Sequence, residues 1–274
     1  MVRVTVLGSG SRGNAIVVDG SQGTVLVDCG FAARTLHQRL TAAARVPEEI
    51  AGVLLTHEHV DHACGVAVAS ARWGWPVHAS AATLAAIEPT TGRRPLHQVP
   101  ITDAVHCLAG FSVTHCAVPH DAADCRAYVL TDDASGARVG VVLDCGDVPE
   151  ALPAFLSHCD LLVLESNHCP TMLTNGPYPW MLKQRIRGGQ GHLSNAHSAR
   201  VLREVVHRGL RGVVLAHLSE TNNTPAVALA SAREALAQAG WHADALWAAP
   251  QREPHAPVTA TGSLAPPAQY ALGL

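Results

Sequence analysis

Short runs of β-branched residues separated by turn residues dominate the first part of the chain. The predicted strands there cover residues 3–7, 15–18 and 24–28. A serine- and glycine-rich turn at 8–14 separates the first two strands, and this pattern is typical of antiparallel hairpins. A helix is predicted over 32–44, because Leu36 and Leu40 fall on one helical face.

The remainder of the chain alternates apolar runs with helical periodicity. Further strands are predicted at 53–55, 77–78, 111–118, 126–131, 138–143, 161–164 and 212–216. Further helices are predicted at 62–73, 81–87, 149–158, 194–208 and 226–239. Because strands and helices are interspersed without a linker or a repeat, we expect one α/β domain of layered sheets and helices over 1–249. Residues 250–274 carry five prolines and few charges, which predicts a C-terminal tail that is loose or laid over the surface.

Composition narrows the class of protein. Hydrophobic residues make up 48% of the chain, enough for a sizeable core, and the net charge of −3 gives no global attraction to nucleic acid or membrane. No apolar run is long enough to span a bilayer. The eight cysteines form no CxxC pair, and no signal peptide is evident, so we expect a cytoplasmic protein with reduced thiols. Seventeen histidines are the first sign of metal chemistry.

The clearest chemical signal is the HxHxDH run directly after the strand Val53–Leu55. His57 and His59 alternate at the strand end, and Asp61 and His62 follow where a helix is predicted to begin. Two such pairs suit two adjacent divalent cations that accept nitrogen and oxygen donors, with Zn²⁺ and Mn²⁺ left open. The sequence therefore predicts a dinuclear metal site.

Three more polar residues follow apolar strands, where side chains project from the rim of a sheet. They are His120, Asp144 and His217. With the four residues of the first motif they complete a set of seven candidate ligands. Asp61 is also a candidate catalytic residue, because we expect one ion to depend on this carboxylate for turnover.

The order of these motifs resembles the metallo-β-lactamase superfamily, from residue 1 to about 245. The resemblance implies an αββα sandwich with four layers and two metal ions at one rim of its sheets. It implies that one ion binds His57, His59 and His120. It implies that the other binds Asp61, His62 and His217, with Asp144 bridging the two.

Five local motifs resemble the YycJ/WalJ-like branch, which is described as having 5′-to-3′ exonuclease activity on DNA. They are Leu7–Asn14, Glu165–His168, Pro177–Pro179 with Arg185, Gly191–Asn195 and His217–Asn223. We therefore expect a phosphodiesterase in which two cations hold a shared water as hydroxide. Its partner would be the end of single-stranded DNA, with RNA, digestion polarity and oligomeric state left open. The alternatives are a small-molecule hydrolase acting on a lactone, thioester or cyclic phosphodiester, and a metal-binding sensor without turnover.

Other residues are candidates for proton transfer and substrate binding. His192 or His168 could protonate the leaving alkoxide, since both lie in loops. The turn that contains Ser9, Ser11 and Asn14 offers hydroxyls and backbone N–H groups to a terminal phosphate. Further substrate candidates from the branch motifs are Arg185, Asn195 and Asn222. The segment 183–211 holds seven basic residues against one acid, with Arg200, Arg203 and His207 on one predicted helical face, and could bind a phosphate backbone.

Overall fold

Two mixed β-sheets form the centre of the protein. The computed structural model describes residues 1–241 and 245–261. Its strands are β1 (Val2–Gly8), β2 (Ala15–Asp19), β3 (Thr24–Val27), β4 (Ile50–Leu54), β5 (Val77–Ala79), β6 (Gln98–Pro100), β7 (Val105–Leu108), β8 (Phe111–Ala117), β9 (Arg126–Asp132), β10 (Arg138–Val142), β11 (Leu161–Glu165), β12 (Gly212–Ala216), β13 (Leu246–Ala248) and β14 (Val258–Ala260). Its helices are α1 (Ala33–Ala42), α2 (Val60–Ala63), α3 (Val66–Trp73), α4 (Ala81–Thr91), α5 (Ala151–Leu156), α6 (Pro170–Asn175), α7 (Trp180–Arg187), α8 (Asn195–Val205) and α9 (Pro225–Gln238).

Each sheet combines antiparallel hairpins with a parallel half. In the described residues the first sheet has seven strands in the order β14-β1-β2-β3-β4-β5-β6, and the second has seven in the order β13-β12-β11-β10-β9-β8-β7. Strands β3 to β6 run parallel in the first sheet, and β10 to β13 run parallel in the second. The remaining neighbours are antiparallel, including β8 with β9 and β9 with β10. Strands β8, β10, β11 and β12 therefore all end at the same edge of the second sheet.

The alternation of side chains along the strands builds the interior between the sheets. In β1, Val4 and Val6 point into a core that they share with residues of the second sheet such as Val139 and Val163. Leu7 belongs instead to the core on the opposite face of the first sheet. Because successive side chains of a strand point to opposite faces, β1 is buried on both sides. Both faces of each sheet are therefore covered.

Helices cover the two outer faces. Leu36 of α1 and Ile87 of α4 pack on the first sheet, while Leu202 of α8 and Leu236 of α9 pack on the second. The resulting order of helix, sheet, sheet and helix confirms the predicted αββα sandwich. In the described ranges, no helix combines the length and the hydrophobicity needed to cross a bilayer.

The predicted single helix over 62–73 is wrong, because the structure divides this region into α2 and α3. The break falls at Gly65, whose N–H donates to the carbonyl of Cys29 at 2.9 Å. A side chain at Gly65 would overlap the carbonyl of Phe31. The chain must pass very close to the loop after β3 here, which interrupts the helix.

Part of the predicted tail belongs to the first sheet. Strand β14 pairs antiparallel with β1, with Val258 opposite Val4, and Val258 and Ala260 are buried. The expectation that the tail is loose or laid over the surface is therefore wrong for Val258–Ala260, which forms a strand of the sheet. Residues 262–274 of the predicted tail lie outside the described residues.

A pair of histidines that does not belong to the HxHxDH motif joins the two sheets. His78 of β5 is buried, and its Nδ1 lies 2.8 Å from Nε2 of His106 in β7. Burial, and after it the neighbouring His106, lowers the pKa of His78 to about 4. Burial lowers the pKa of His106 as well, so the pair is neutral at physiological pH, and one ring can donate an N–H to the lone pair of the other.

We expect His78 to make the stability of the protein sensitive to acid. The unfolded chain protonates this residue below about pH 6.5, whereas the folded protein does so near pH 4. The stability that neutral His78 contributes above pH 6.5 is therefore lost as the pH falls toward 4. Urea unfolding of His78→Phe should show a smaller loss of stability between about pH 7.5 and about pH 5 than wild type. An equal loss in both proteins would contradict this expectation, and His37→Phe at an exposed position is the control.

Candidate metal centre

The structure brings all seven predicted ligand residues together at one rim of the sandwich. Three groups of potential ligands occur at this rim, and two of them consist only of predicted ligand residues. One of these two contains His57, His59, His120 and Asp144, and the other contains Asp61, His62, Asp144 and His217. Within each group the potential ligand atoms all lie within 4.8 Å of one another. The first motif follows β4 of the first sheet, and the other three residues follow β8, β10 and β12 of the second. The two groups share Asp144.

The turns that carry these residues have an unusual backbone. Asp28, Asp144 and His217 follow β3, β10 and β12, and their φ angles are 60°, 52° and 53°. A non-glycine residue seldom adopts this left-handed conformation, which costs on the order of 1–3 kcal/mol and is concentrated at functional sites. The surrounding packing therefore holds these three strand ends in an unfavourable conformation.

Hydrogen bonds orient the imidazoles. His62 Nδ1 donates to Asp28 Oδ2 at 2.7 Å, His57 Nδ1 lies 3.0 Å from Thr56 Oγ1, and His120 Nδ1 lies 2.9 Å from the carbonyl of Gly191. An imidazole that donates from Nδ1 keeps the lone pair of Nε2 free for a metal ion. These contacts therefore orient all three imidazoles, and they leave Nε2 of His57 without any hydrogen-bond partner in the described residues.

The donor set fits two divalent cations. His57 Nε2 and Asp144 Oδ1 are buried and have no hydrogen-bond partner among the described residues. A buried polar atom without a partner costs about 1–3 kcal/mol, and a cation in each group would satisfy these atoms. Imidazole nitrogen and carboxylate oxygen are the ligands that Zn²⁺ and Mn²⁺ accept.

The acidic ligands are ionised at neutral pH. Burial raises the pKa of Asp61, but the charge of His62 and the hydrogen bond with His217 outweigh burial and lower it to about 2. Burial also opposes ionisation of Asp144, yet His217 and His62 hold the pKa of Asp144 well below its ordinary value. Both carboxylates can therefore bind a cation without first losing a proton.

A buried glutamate that the sequence analysis did not select lies beside this cluster. Glu165 ends β11 and is fully buried. It accepts hydrogen bonds from the backbone N–H of Cys145 and from Nδ1 of His192, both at 2.7 Å. Its position directly after an apolar strand is the signal that selected Asp144 and His217, so the same rule would have found it.

The Glu165–His192 pair favours a protonated imidazole. Burial lowers the pKa of His192, but Glu165 and then Asp144 outweigh burial and raise it above its ordinary value. His192 borders a cleft of about 290 Å³. The other residues that line this cleft are Ser11, His59, Asp61, His120, Asp121, Asp144, Tyr178, Leu182, Arg185, Ile186, Gly191 and His217. His192 is thus the one predicted proton donor that faces the cleft.

His168, the alternative proton donor, has a different environment. Its side chain is buried and does not line the cleft. Burial lowers the pKa of His168 to about 4, so the imidazole is neutral at pH 7. A neutral and enclosed imidazole is poorly suited to protonate a leaving group.

The glycine- and serine-rich turn lies against the metal centre, but only one of its predicted phosphate ligands borders the cleft. Ser11 lines the cleft. Ser9 is buried and accepts a hydrogen bond from the backbone N–H of His217 at 2.8 Å. Asn14 is buried too, and its Nδ2 lies 3.0 Å from His62 Nε2. Both side chains contact candidate metal ligands inside the protein. This geometry therefore argues against the predicted phosphate contacts of Ser9 and Asn14.

Of the other predicted substrate residues, Arg185 alone lines the cleft. Its guanidinium binds Asp121, with Nε 2.7 Å from Oδ2. Asn195 is buried and bonded to Ser166 and Asn223. Asn222 is also buried, and its backbone N–H donates to Ser219 Oγ at 3.1 Å. Neither of these buried side chains lines the cleft. The expectation that Asn195 and Asn222 contact substrate is therefore corrected.

The basic segment is only partly free to bind phosphate. Arg200 and Arg203 are exposed on α8, and Arg200 lies 3.8 Å from Asp147. His207, predicted on the same face, lies beyond the helix, and its Nε2 is 3.0 Å from the carbonyl of Cys159. The predicted three-residue face is therefore reduced to two arginines.

Comparison with known proteins places this centre in a family. Residues 23–218 match the family described as a beta-lactamase superfamily domain. The chain belongs to the β-lactamase superfamily. Exodeoxyribonuclease YycJ of Bacillus anthracis is 31% identical over 239 residues, which cover 86% of this chain and 90% of that protein. Exodeoxyribonuclease WalJ of Streptococcus pneumoniae is 31% identical over 242 residues, 86% of this chain and 89% of that protein.

A solved structure supports the fold. The metallo-β-lactamase fold protein YhfI from Bacillus subtilis matches with a TM-score of 0.68, covering 93% of this chain and 98% of that chain at 18% identity. This similarity shows the metallo-β-lactamase fold. The family match, the similar exodeoxyribonucleases and the histidine–aspartate cluster show that the chain is a hydrolase of the superfamily.

We expect metal content to follow the two ligand groups. Asp61 belongs to one group only, so Asp61→Ala should lose about one ion per chain, whereas Asp144→Ala should lower both occupancies. Loss of a residue that only supports a metal ligand typically lowers activity about 10- to 100-fold. Turnover of Asp61→Ala should fall further, because Asp61 is itself a candidate ligand. Circular dichroism should remain near wild type.

Elemental analysis of the purified variants measures the metal content. Glu58→Gln is the matched control, because Glu58 lies between two of the histidines but accepts a hydrogen bond from the backbone N–H of Ala123. This variant should keep wild-type metal content. An Asp61→Ala protein with two ions and more than about a tenth of the wild-type turnover would contradict the two-metal assignment.

Proposed function

We propose that this protein hydrolyses phosphodiester bonds and acts as a 5′-to-3′ exonuclease on single-stranded DNA in the cytoplasm. The observation that carries the proposal is the pair of ligand groups sharing Asp144, beside a cleft that also holds Arg185 and His192. A phosphodiester carries anionic oxygens that this combination can bind. The names of the relatives YycJ and WalJ, both exodeoxyribonucleases, support the same substrate class.

The seven ligand residues would hold the two cations, one in each group, with Zn²⁺ and Mn²⁺ as the candidates. Bound divalent ions would neutralise negative charge on phosphate oxygens, and would lower the pKa of a bound water so that hydroxide is available at neutral pH. The chain itself supplies orientation. Asp28 and Thr56 fix the imidazoles of His62 and His57 through hydrogen bonds of 2.7 and 3.0 Å.

Arg185 is suited to orient a phosphate in the cleft. Its guanidinium is anchored by Asp121 and its side chain is 66% exposed, which leaves other N–H donors available. Arginine binds phosphate through paired N–H donors in a fixed geometry. Ser11 lines the same cleft and adds a hydroxyl.

His192 is the residue we assign to protonation of the leaving alkoxide. It lines the cleft, and its Nδ1 donates to the buried carboxylate of Glu165 at 2.7 Å. The carboxylate stabilises the imidazolium and fixes the ring, so the proton for the leaving group resides on Nε2. Glu165 acts through His192 and is a positioning residue.

A small-molecule hydrolase of the same fold is the second candidate. The cleft of about 290 Å³ is near the lower limit of ordinary small-molecule pockets, so a lactone, thioester or cyclic phosphodiester could enter. The cationic Arg185 in the cleft favours an anionic substrate over a neutral lactone or thioester. A non-catalytic sensor is the third candidate, but it would not need the Glu165–His192 pair.

A substrate panel tests the proposal. The metal-loaded protein should degrade 5′-phosphorylated single-stranded DNA and hydrolyse bis(p-nitrophenyl) phosphate, leaving a lactone and a thioester intact. Oligonucleotides labelled at either end report the direction of digestion, and RNA of the same sequence reports sugar preference. Asp144→Ala is the control for contaminating nuclease. Hydrolysis of the lactone or thioester alone would replace this proposal with the second candidate, and inactivity on every substrate would favour the sensor.

The leaving group should reveal the role of His192. We expect His192→Gln to lower kcat on DNA by about a hundredfold or more, because a general acid typically contributes that factor. The same variant should hydrolyse bis(p-nitrophenyl) phosphate nearly as fast as wild type, since p-nitrophenolate departs without a proton. Glu165→Gln should likewise lower kcat on DNA and leave hydrolysis of bis(p-nitrophenyl) phosphate nearly unchanged, and His168→Gln is the comparison. A similar loss on both substrates would instead indicate that His192 maintains the metal site.

A further inference from the structure

Helix α7 presents an uncovered apolar surface beside the metal cleft. None of its residues is buried, and Trp180 and Met181 are 67% and 73% exposed. Among the aromatic side chains in the described part of the chain, Trp180 is the only one that is not at least half-buried. A surface helix normally packs an apolar stripe on the core, and a cluster of large exposed apolar residues marks an interaction site.

The helix has two faces with different surroundings. Leu182, Arg185 and Ile186 line the metal cleft. Because successive residues of a helix are rotated by about 100°, Trp180, Gln184 and Arg187 fall on the opposite face. Arg187 Nε donates to Gln184 Oε1 at 2.9 Å, which holds a guanidinium on the same face as the indole ring.

Polar contacts fix α7 in place. Lys183 Nζ donates to the carbonyl of Thr174 at 2.8 Å, and Arg185 binds Asp121 with Nε 2.7 Å from Oδ2. Asp121 directly follows the candidate metal ligand His120. These contacts place α7 beside the metal centre, although none of the residues of the helix is buried.

The charge around α7 indicates an anionic partner. Its eight residues include Lys183, Arg185 and Arg187 and no acid, and no aspartate or glutamate occurs between Glu165 and Glu204. An exposed indole beside guanidinium groups is the combination that binds single-stranded nucleic acid, through base stacking and phosphate contacts. Duplex DNA keeps its bases stacked on one another and cannot use the indole in this way.

We propose that the outer face of α7 binds the part of a single-stranded nucleic acid that lies outside the cleft. Trp180 stacks on a base, and Arg187 contacts a backbone phosphate. This inference rests on the proposed function and adds to it a substrate-length preference and a requirement for unpaired bases. The inner face of the same helix borders the cleft, so one strand can contact both faces.

Binding affinity tests the stacking contact without any catalysis. The probe is a fluorescein-labelled oligothymidylate of about twelve residues, made with phosphorothioate linkages that resist hydrolysis, and the metal-loaded protein is titrated into it by anisotropy. Trp180→Ala should weaken binding about tenfold, because stacking of one base on an aromatic ring contributes on the order of that factor. Trp180→Phe should retain most of the affinity, and a blunt duplex should bind equally to wild type and Trp180→Ala.

Met181→Ala is the matched control, because Met181 is equally exposed on the same helix but has no ring. Its affinity for the oligothymidylate should equal that of wild type. Equal weakening by Met181→Ala and Trp180→Ala would show a general apolar contact and overturn the stacking assignment. Binding to phosphatidylglycerol vesicles, or dimerisation in sedimentation, that depends on Trp180 would assign the face to a membrane or to a second copy and overturn it as well.

Activity on substrates of different length separates this inference from the proposed function. Trp180→Ala should raise KM for the twelve-residue strand, while hydrolysis of a dinucleotide and of bis(p-nitrophenyl) phosphate should remain at the wild-type rate. If Trp180→Ala binds and degrades long strands as wild type does, the inference fails and the phosphodiesterase proposal stands. If wild type hydrolyses bis(p-nitrophenyl) phosphate but binds no oligothymidylate, the inference fails together with the choice of DNA.

Discussion

The arrangement of the two sheets depends on a buried carboxylate, Asp144, that is surrounded by imidazoles. The side chain of Asp144 lies 3.1–3.5 Å from nitrogen atoms of His57, His62, His120 and His217, and it is almost fully buried. Removing such an anion from water costs several kcal/mol unless positive charge compensates for it. The four histidines come from both sheets, so the sandwich must bring the ends of β4, β8, β10 and β12 to a single rim. Burial lowers the pKa of all four imidazoles, but neighbouring carboxylates outweigh burial at His62 and His217. These two histidines carry the compensating positive charge, whereas the pKa of His57 and that of His120 stay below the ordinary value.

The same rim concentrates conformational strain. Left-handed turns at Asp28, Asp144 and His217 and buried polar atoms without partners at His57 and Asp144 all lie within the metal centre. The interior packing of the two sheets supplies the stability that offsets these costs. A cation that satisfies the orphan atoms would also join loops far apart in the sequence, so metal affinity and folding stability should be coupled. As in many enzymes, the unfavourable backbone conformations and the unpaired buried atoms lie where chemistry is expected.

The layered fold and the metal centre could be predicted because their signals are local. An apolar strand followed by a histidine or aspartate is visible in the sequence, as at His57 and Asp144, and the same pattern was present but overlooked at Glu165. The break at Gly65 depends on contact with Cys29 and Phe31, which only the folded chain shows. Helix α7 was not predicted because it is only eight residues long, follows Pro177 and Pro179, and buries none of its residues. Ser9 and Asn14 have the residue types of phosphate ligands, but their burial is a tertiary property.

Strand β14 has a consequence for the outer border of the first sheet. Val258–Ala260 covers β1, and the preceding segment reaches the glycine-rich turn through the N–H of Ser9, 3.2 Å from the carbonyl of Pro250. Without this segment β1 would present a row of unpaired amides and carbonyls, the arrangement that lets one chain add to the sheet of another. By pairing with β1, the segment prevents that strand from pairing with the sheet of another chain. A shortened protein ending near residue 249 would be prone to self-association through β1, and would lose a support of the turn beside the metal ligands.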